Sequence, residues 1–368
     1  MVDLKGQYEN IKEQVNSSIL NVLETTAFVN GPEVHEFQKE LETYLGVKHV
    51  IPCANGTDAL QIAMMGSGLK PGDEVITADF TFAATVEVIA LLQLTPVLVD
   101  VDPVNFNIDT EAIKNAITPN TKAIVPVHLF GLAANMDEIM AIAEEHNLYV
   151  IEDNAQGIGA DYIMKDGTVK KTGTIGHVAS ISFFPSKNLG CYGDGGAIFT
   201  NDDDLAHTIR GIVNHGMYVR YHHDVVGVNS RLDSIQAAVL RAKLPLLDEY
   251  NAARRNAARK YSEAFAGIKN IITPTGYCKN TQTICDVCNC HVFHQYTLKV
   301  INVNRDALVQ HLNENGIPCG VYYPIPLHLQ KAYKDDRYNE EDFTVTNQLV
   351  KEVISLPMHT ELDDEQIA

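Results

Sequence analysis

A chain of 368 residues, 45% hydrophobic and 20% charged, is long enough for one large cored domain and a smaller second one. Its 47 acidic and 28 basic residues leave a formal net charge of −19, which excludes a general nucleic-acid binder, because phosphate backbones require a basic face. No apolar run approaches the ~20 residues of a membrane span, and Met1 is followed by acidic and polar residues without a signal-peptide pattern, so no membrane association and a cytoplasmic location are expected.

In chain order, His49-Val-Ile-Pro-Cys53 reads as a strand, followed by a helix that opens at Gly56 and Thr57. Val75-Ile-Thr-Ala is strand-like and delivers Phe82 near its end. Lys122 to His128 reads as a strand, Met136 to His146 as an amphipathic helix and Leu148 to Ile151 as the next strand, which together make a βαβ unit. His177 to Phe184 is apolar and β-prone. Leu232 to Leu247 looks helical and buried, and Tyr250 to Ala266 is a long helix leaving the large domain, so the boundary is placed at 246. Beyond it, Val292 to Val300 predicts a strand, Arg305 to Asn315 a helix ended by Gly316, and Val321 to Tyr323 a further strand. The expectation is an α/β large domain (1–246) with a smaller α+β domain (247–368) and no internal repeat. Leu362 to Ala368 reads as a helix start, so the chain is expected to be cut short there.

Three features carry chemistry. Lys187, at a strand end before a glycine-rich run, is placed where desolvation lowers an amine's pKa and favours Schiff-base formation with a carbonyl or with pyridoxal phosphate; the alternative is a solvated lysine after a proline. Asp153 and Gln156 follow the buried run Leu148 to Ile151, at the carboxyl end where open α/β sheets place ligands. An acid there suits a pyridinium nitrogen, and the alternative is a helix N-cap. Gly56 and Thr57 offer N–H groups and a hydroxyl to an anion, or form an ordinary turn, while Phe82 either stacks on a flat ring or is core.

Cys278, Cys285, Cys288 and Cys290, followed by His291 and His294, carry a zinc-like Cys-x-x-Cys pair, but a surface loop is favoured and no metal is expected. Cys53, Cys191 and Cys319 are expected to pack as small apolar residues. No Gly-x-Gly-x-x-Gly follows the early strands, which argues against a nicotinamide dehydrogenase.

Over nearly its whole length the chain resembles the DegT/DnrJ/EryC1/StrS sugar-nucleotide aminotransferases, within the fold-type I pyridoxal-phosphate enzymes. The stretches that carry the resemblance are Asn55-Gly-Thr-Asp-Ala-Leu60, Pro71 to Ile76, Phe80-Thr-Phe82, Glu152-Asp-Asn-Ala-Gln156, Ser182 to Gly196, Asn214-His-Gly216 and Asn229 to Ala238. The resemblance implies a three-layer α/β/α large domain with a mostly parallel sheet, and pyridoxal 5'-phosphate as cofactor. It implies Lys187 as the catalytic lysine that carries the cofactor and moves the substrate proton. Asp153 matches the partner of the pyridinium nitrogen, Gln156 the neighbour of the ring's phenolic oxygen, and Phe82 the stacking aromatic. Gly56, Thr57 and Ser182 match the phosphate cradle. Asn229 matches a residue that reaches the same phosphate from a second subunit, which implies a homodimer with shared active sites. Asn154 stands where the family often has alanine. Related dehydratases carry histidine at the position of Lys187, so the retained lysine argues for transamination.

Within the family the chain is most similar to transaminases acting on a 3-keto sugar nucleotide of the UDP-2-acetamido-2-deoxy-3-keto-glucuronate type. The stretches include Leu189 to Asn201, Arg220-Tyr-His-His223, Val226 to Asp233, Tyr323-Pro-Ile-Pro-Leu327 and Ser355-Leu-Pro-Met-His359. The implied partners are a nucleotide-sugar substrate and an amino-acid donor, glutamate in most of the family, in a ping-pong exchange. Arg231 suits a uronic carboxylate, with an ion pair to Asp233 as the alternative. His222, His223, Tyr323 and His328 are candidates for the sugar and diphosphate. The alternatives are a dTDP-3-keto- or 4-keto-6-deoxyhexose as acceptor, or a regulatory protein that binds the cofactor without turnover.

Overall fold

The computed structural model describes residues 2–275 and 289–368. Helices α1 (Leu4–Thr25) and α2 (Pro32–Leu45) precede β1 (His49–Cys53), α3 (Gly56–Gly66), β2 (Glu74–Ala78), α4 (Ala84–Leu91), β3 (Thr95–Val99) and α5 (Thr110–Ala116). Then come β4 (Thr121–Val125), α6 (Met136–His146), β5 (Tyr149–Asp153), the short hairpin β6 (Asp161–Ile163) and β7 (Val169–Lys171), β8 (Val178–Ser182) and β9 (Gly196–Thr200). The second half holds α7 (Asp203–Ile212), the hairpin β10 (Met217–Val219) and β11 (His222–His223), α8 (Ser234–Lys243) and α9 (Leu247–Ala264). It closes with β12 (Ile271–Ile272), β13 (Tyr296–Val300), α10 (Arg305–Glu314), α11 (Thr344–Glu352), β14 (Val353–Leu356) and α12 (Asp364–Ile367).

The main sheet runs β1-β9-β8-β5-β4-β2-β3, parallel throughout except for the reversed β9. Its strands are apolar on both faces, the pattern of a sheet covered twice. Along them successive residues go to opposite sides. Ile51, Val75, Ala123, Val125, Ile151, Val178 and Ile198 pack with α3, α4 and α7. On the other side Ile76, Ile124 and Val150 pack with α5 and α6, while Val50, Ala179, Ile181, Ala197 and Phe199 pack with α2 and α8. This is the expected three-layer α/β/α arrangement. The carboxyl ends of β1, β2, β5 and β8 lie along one rim, which places Asn55, Asp79, Asp153 and Ser182 on the same edge of the sheet.

A second, antiparallel sheet, β12-β13-β14, packs Tyr296, Leu298, Val300, Ile354 and Leu356 against Ala257, Ala258 and Tyr261 of α9. The strand expected at Val321–Tyr323 does not form; among the described residues the only pairing there is the isolated bridge Gly320↔Ser355. Pro324 and Pro326 offer no N–H to a ladder, and the chain leaves the sheet edge so that Tyr323 meets Gln156. Among the described residues no helix is long and apolar enough to cross a membrane, and no cluster of His, Cys, Asp or Glu is arranged to hold a metal. Of the cysteine-rich run, Cys278, Cys285 and Cys288 lie outside the described residues. Cys53 and Cys191 are buried among apolar neighbours, as expected, and Cys319 is half-buried.

Candidate active site

Lys187 is half-buried on the loop that follows β8, and its amine makes no hydrogen bond or ion pair among the described residues. Burial lowers its pKa to about 8, against the opposing pull of Asp153. An amine in that range keeps an appreciable minority in the neutral form near physiological pH, which is the form a nucleophile requires. His294 lies close enough to feel Lys187; burial, followed by the charges of Lys187 and Arg254, holds its pKa well below the usual histidine value and keeps it neutral.

Asp153 ends β5 and is buried. Its Oδ2 accepts the Thr85 hydroxyl at 2.7 Å and its Oδ1 accepts the Ala155 N–H at 3.1 Å, so the carboxylate is aimed by two donors and caps no helix. The adjacent Glu152 points to the other face. Desolvation raises its pKa, yet hydrogen bonds from His128 Nε2 (2.8 Å) and from the N–H groups of Gly173, Ile175 and Gly176 more than offset this and hold it below the ordinary carboxylate value. His128 Nδ1 accepts the Ala134 N–H at 3.2 Å, so the proton of this pair sits on Nε2. The pair braces β5 directly behind the residue that faces the site.

Gln156 Oε1 accepts the Phe130 N–H at 2.6 Å, and its Nε2 donates to the Tyr323 hydroxyl at 3.3 Å. The Tyr323 ring lies 6.2 Å from that of Phe82, which is 58% exposed and free to cover a flat ligand. At the opposite end, Asn55 caps α3 by accepting the Asp58 N–H at 2.8 Å, and the N–H groups of Gly56 and Thr57 take no partner among the described residues. A Cβ on Gly56 would come within 2.6 Å of Ser182 Cβ, so the helix end and the β8 end touch only because residue 56 is glycine. Two free N–H groups, a helix N-terminus and the Ser182 hydroxyl form a cradle for an anion.

Lys187, Asp153, Gln156, Phe82, Tyr323, Gly56, Thr57 and Ser182 thus stand along one rim. The other candidates stand apart. Arg231 forms no ion pair with Asp233; among the described residues its guanidinium makes one long bond, 3.4 Å, to Asn214 Oδ1. Asn229 is exposed, beside Ser230, whose hydroxyl accepts the Ala54 N–H and donates to Asp58 at 2.6 Å. His222 and His223 are exposed on the β10–β11 hairpin, where His223 Nδ1 donates to the His215 carbonyl at 2.8 Å. His328 is buried, its N–H and Nδ1 are both bound to Asp79, the latter at 2.6 Å, its ring stacks on Phe343, and its Nε2 takes no partner among the described residues. Sequence reading missed Thr85, His128, His294 and Asp79. Of these, Asp79 carried a signal, since like Asp153 it is an acid at the carboxyl end of a parallel strand.

The arrangement fits pyridoxal 5'-phosphate end to end: an anion cradle, an exposed aromatic face, a buried carboxylate for the ring nitrogen and a desolvated lysine for the aldehyde. Gly56→Ala is expected to weaken binding of the cofactor about tenfold or more, at a cost to stability of about 1–3 kcal/mol. Titration of the visible absorption reads the first and urea unfolding the second; unchanged affinity would remove the α3 end from the phosphate site.

Comparison with known proteins agrees with this chemistry. The chain is 46% identical to UDP-2-acetamido-2-deoxy-3-oxo-D-glucuronate aminotransferase of Pseudomonas aeruginosa, over 100% of this chain and 96% of that protein. It is 43% identical to UDP-N-acetyl-3-dehydro-alpha-D-glucosamine 3-aminotransferase of Acidithiobacillus ferrooxidans, over 100% of this chain and 95% of that one. Among solved structures it superposes on NtdA from Bacillus subtilis with bound cofactor PMP, with a TM-score of 0.87 and 33% identity, covering 97% of this chain and 79% of the other. Pyridoxal 5'-phosphate is therefore the cofactor. Residues 9–368 match one family along almost the whole chain, and the protein belongs to it: the DegT/DnrJ/EryC1/StrS aminotransferases.

Proposed function

We propose that the protein moves an amino group from an amino-acid donor, glutamate, to the C3 keto group of a nucleotide-linked sugar of the UDP-2-acetamido-2-deoxy-3-keto-glucuronate type. The observation that carries the chemistry is Lys187, desolvated, unpaired and within the field of Asp153. The choice of sugar is supported by similarity to relatives named for 3-keto UDP sugars. It is also supported by Arg231, whose planar fork meets no carboxylate among the described residues and suits the two oxygens of a uronic acid. That observation favours the uronate over a dTDP-6-deoxyhexose, which offers no carboxylate.

Bound pyridoxal phosphate supplies an aldehyde that takes up the amino group and a ring that accepts the electron pair left when the substrate carbon loses its proton. Lys187 Nζ, once displaced by the amino donor, takes that proton and returns it. Asp153 keeps the ring nitrogen protonated, and the Thr85 hydroxyl and Ala155 N–H hold the carboxylate on target. Gly56, Thr57 and Ser182 would bind the phosphate, Phe82 would cover the ring, and Gln156, which also donates to the Tyr323 hydroxyl, would lie beside the ring's phenolic oxygen. His222 and His223 are assigned to the sugar nucleotide.

A homodimer completes the site, with Asn229 of each copy reaching the other's phosphate. Exposed apolar side chains near this segment, Phe28, Val29, Val219, Tyr221 and Val226, support a covered surface there. The division into units 1–246 and 247–368 and a cytoplasmic location belong to the same reading.

The test is visible absorption of the cofactor-loaded protein, first with glutamate and then with the UDP-3-keto-glucuronate. The lysine-bound band is expected to fade with glutamate and return with the keto sugar. A band restored only by a dTDP-keto-deoxyhexose would transfer the assignment to that substrate, and a band indifferent to every amino acid would make the protein a non-catalytic binder.

A further inference from the structure

The loop carrying Lys187 leaves β8 at Ser182 and returns to β9 at Gly196. Its neck is narrow. The Cys191 N–H donates to the Phe183 carbonyl at 2.8 Å, and a Cβ on Gly190 would lie 2.4 Å from the Pro185 carbonyl and 2.8 Å from that of Phe184. The two limbs therefore meet backbone to backbone.

Behind the returning limb runs α8, which grips it twice from one face. Gln236 Oε1 accepts the Tyr192 N–H at 2.8 Å while its Nε2 donates to the Tyr192 carbonyl at 3.4 Å. Two helical turns further on, the Lys243 ammonium donates to the Gly190 carbonyl at 2.8 Å and to Gln7 Oε1 of α1 at 3.0 Å, with the Tyr192 ring centroid 4.4 Å away. Lys243 is 1% exposed and has no carboxylate partner among the described residues. Burial brings its pKa down to about 8, with Cys191 opposing. An ammonium buried without a counter-charge costs stability. Here its donors go to the loop neck and to α1.

We propose that Lys243 is a positioning residue for the transamination: by fixing the Gly190 carbonyl it closes the neck of the loop and holds Lys187 in its water-poor setting. The inference rests on the reading of Lys187 as the cofactor-bearing lysine, and extends it to a residue that touches neither substrate nor cofactor. The titratable groups facing Lys187 are Asp153 and His294; Lys243 faces Cys191 and Tyr192 from the loop and Gln7 from α1. Removing Lys243 acts on Lys187 by admitting water.

The experiment is acetylation of Lys187 in the full-length, cofactor-free chain as a function of pH, followed by mass spectrometry, in wild type, K243M and Q7L. The wild-type midpoint is expected at about 8. In K243M it rises by about one pH unit toward the ordinary lysine value, because relief of desolvation favours the charged form. In Q7L it stays where it is, since Gln7 holds the ammonium from the side away from the loop. A folded K243M with the wild-type midpoint overturns the proposal, even if its melting temperature falls. If K243M does not fold, Q236L frees the same limb at Tyr192 and carries the same expected rise and the same overturning result. A visible band on adding pyridoxal phosphate is recorded in parallel; its absence in wild type would sink the reading of Lys187 while leaving the comparison of midpoints intact.

Discussion

Lys187→Ala is expected to lower turnover by about 10⁴-fold or more while leaving the fold unchanged. Two roles vanish together, because the same Nζ both holds the cofactor and carries the proton. The fold is spared for a local reason: the amine makes no hydrogen bond or ion pair among the described residues, so its removal strands no buried partner. Three measurements on one sample separate the cases. Turnover should disappear, the visible band should fail to form with added pyridoxal phosphate, and the melting temperature should match wild type. A variant that keeps most of its rate would take Lys187 out of the chemistry.

Asp153→Asn is expected to cost about 10²–10³-fold in turnover, the scale for removing one preorganised electrostatic contact. Asparagine keeps an oxygen for the Ala155 N–H, and its amide can donate to the Thr85 hydroxyl, so the β5 end should hold its geometry. The effect on Lys187 has the opposite sign to the effect on rate. Asp153 raises the lysine's pKa, so its neutralisation moves that pKa further down from about 8 and leaves more neutral amine at pH 7. Cofactor capture by Lys187 should then be undiminished while turnover falls. Acetylation midpoints and kcat on the same variant read the two effects, and full turnover in Asp153→Asn would remove the acid from the mechanism. The downward midpoint here and the upward one in K243M also distinguish loss of a charge from loss of desolvation.

The site was legible in the sequence where its residues follow strand ends closely. Asp153 and Gln156 trail the apolar run of β5, Lys187 trails β8, and Gly56 opens α3 directly after β1, so a local pattern located each of them. Legibility failed where a side chain's neighbours come from distant segments. His328 was named for a sugar without its partner, Asp79 at the end of β2, which takes its N–H and Nδ1 and leaves Nε2 alone. Val321–Tyr323 has strand composition, yet Tyr323 is drawn off the sheet edge to Gln156.

Short apolar runs and one amphipathic helix were enough to order the elements and to give a βαβ unit, because that signal depends only on which residues must leave water, while the doubly covered, mostly parallel sheet came from the family resemblance. The contiguous motifs were enough to name Lys187 and Asp153. Tertiary structure alone decided which polar groups face the rim and which are consumed as braces, among them Thr85 behind Asp153, His128 behind Glu152, and Lys243 beneath the loop of Lys187. Burial and hydrogen-bond pairing are set by residues far apart in the chain, and these determine whether an amine is a solvated ammonium or a desolvated nucleophile.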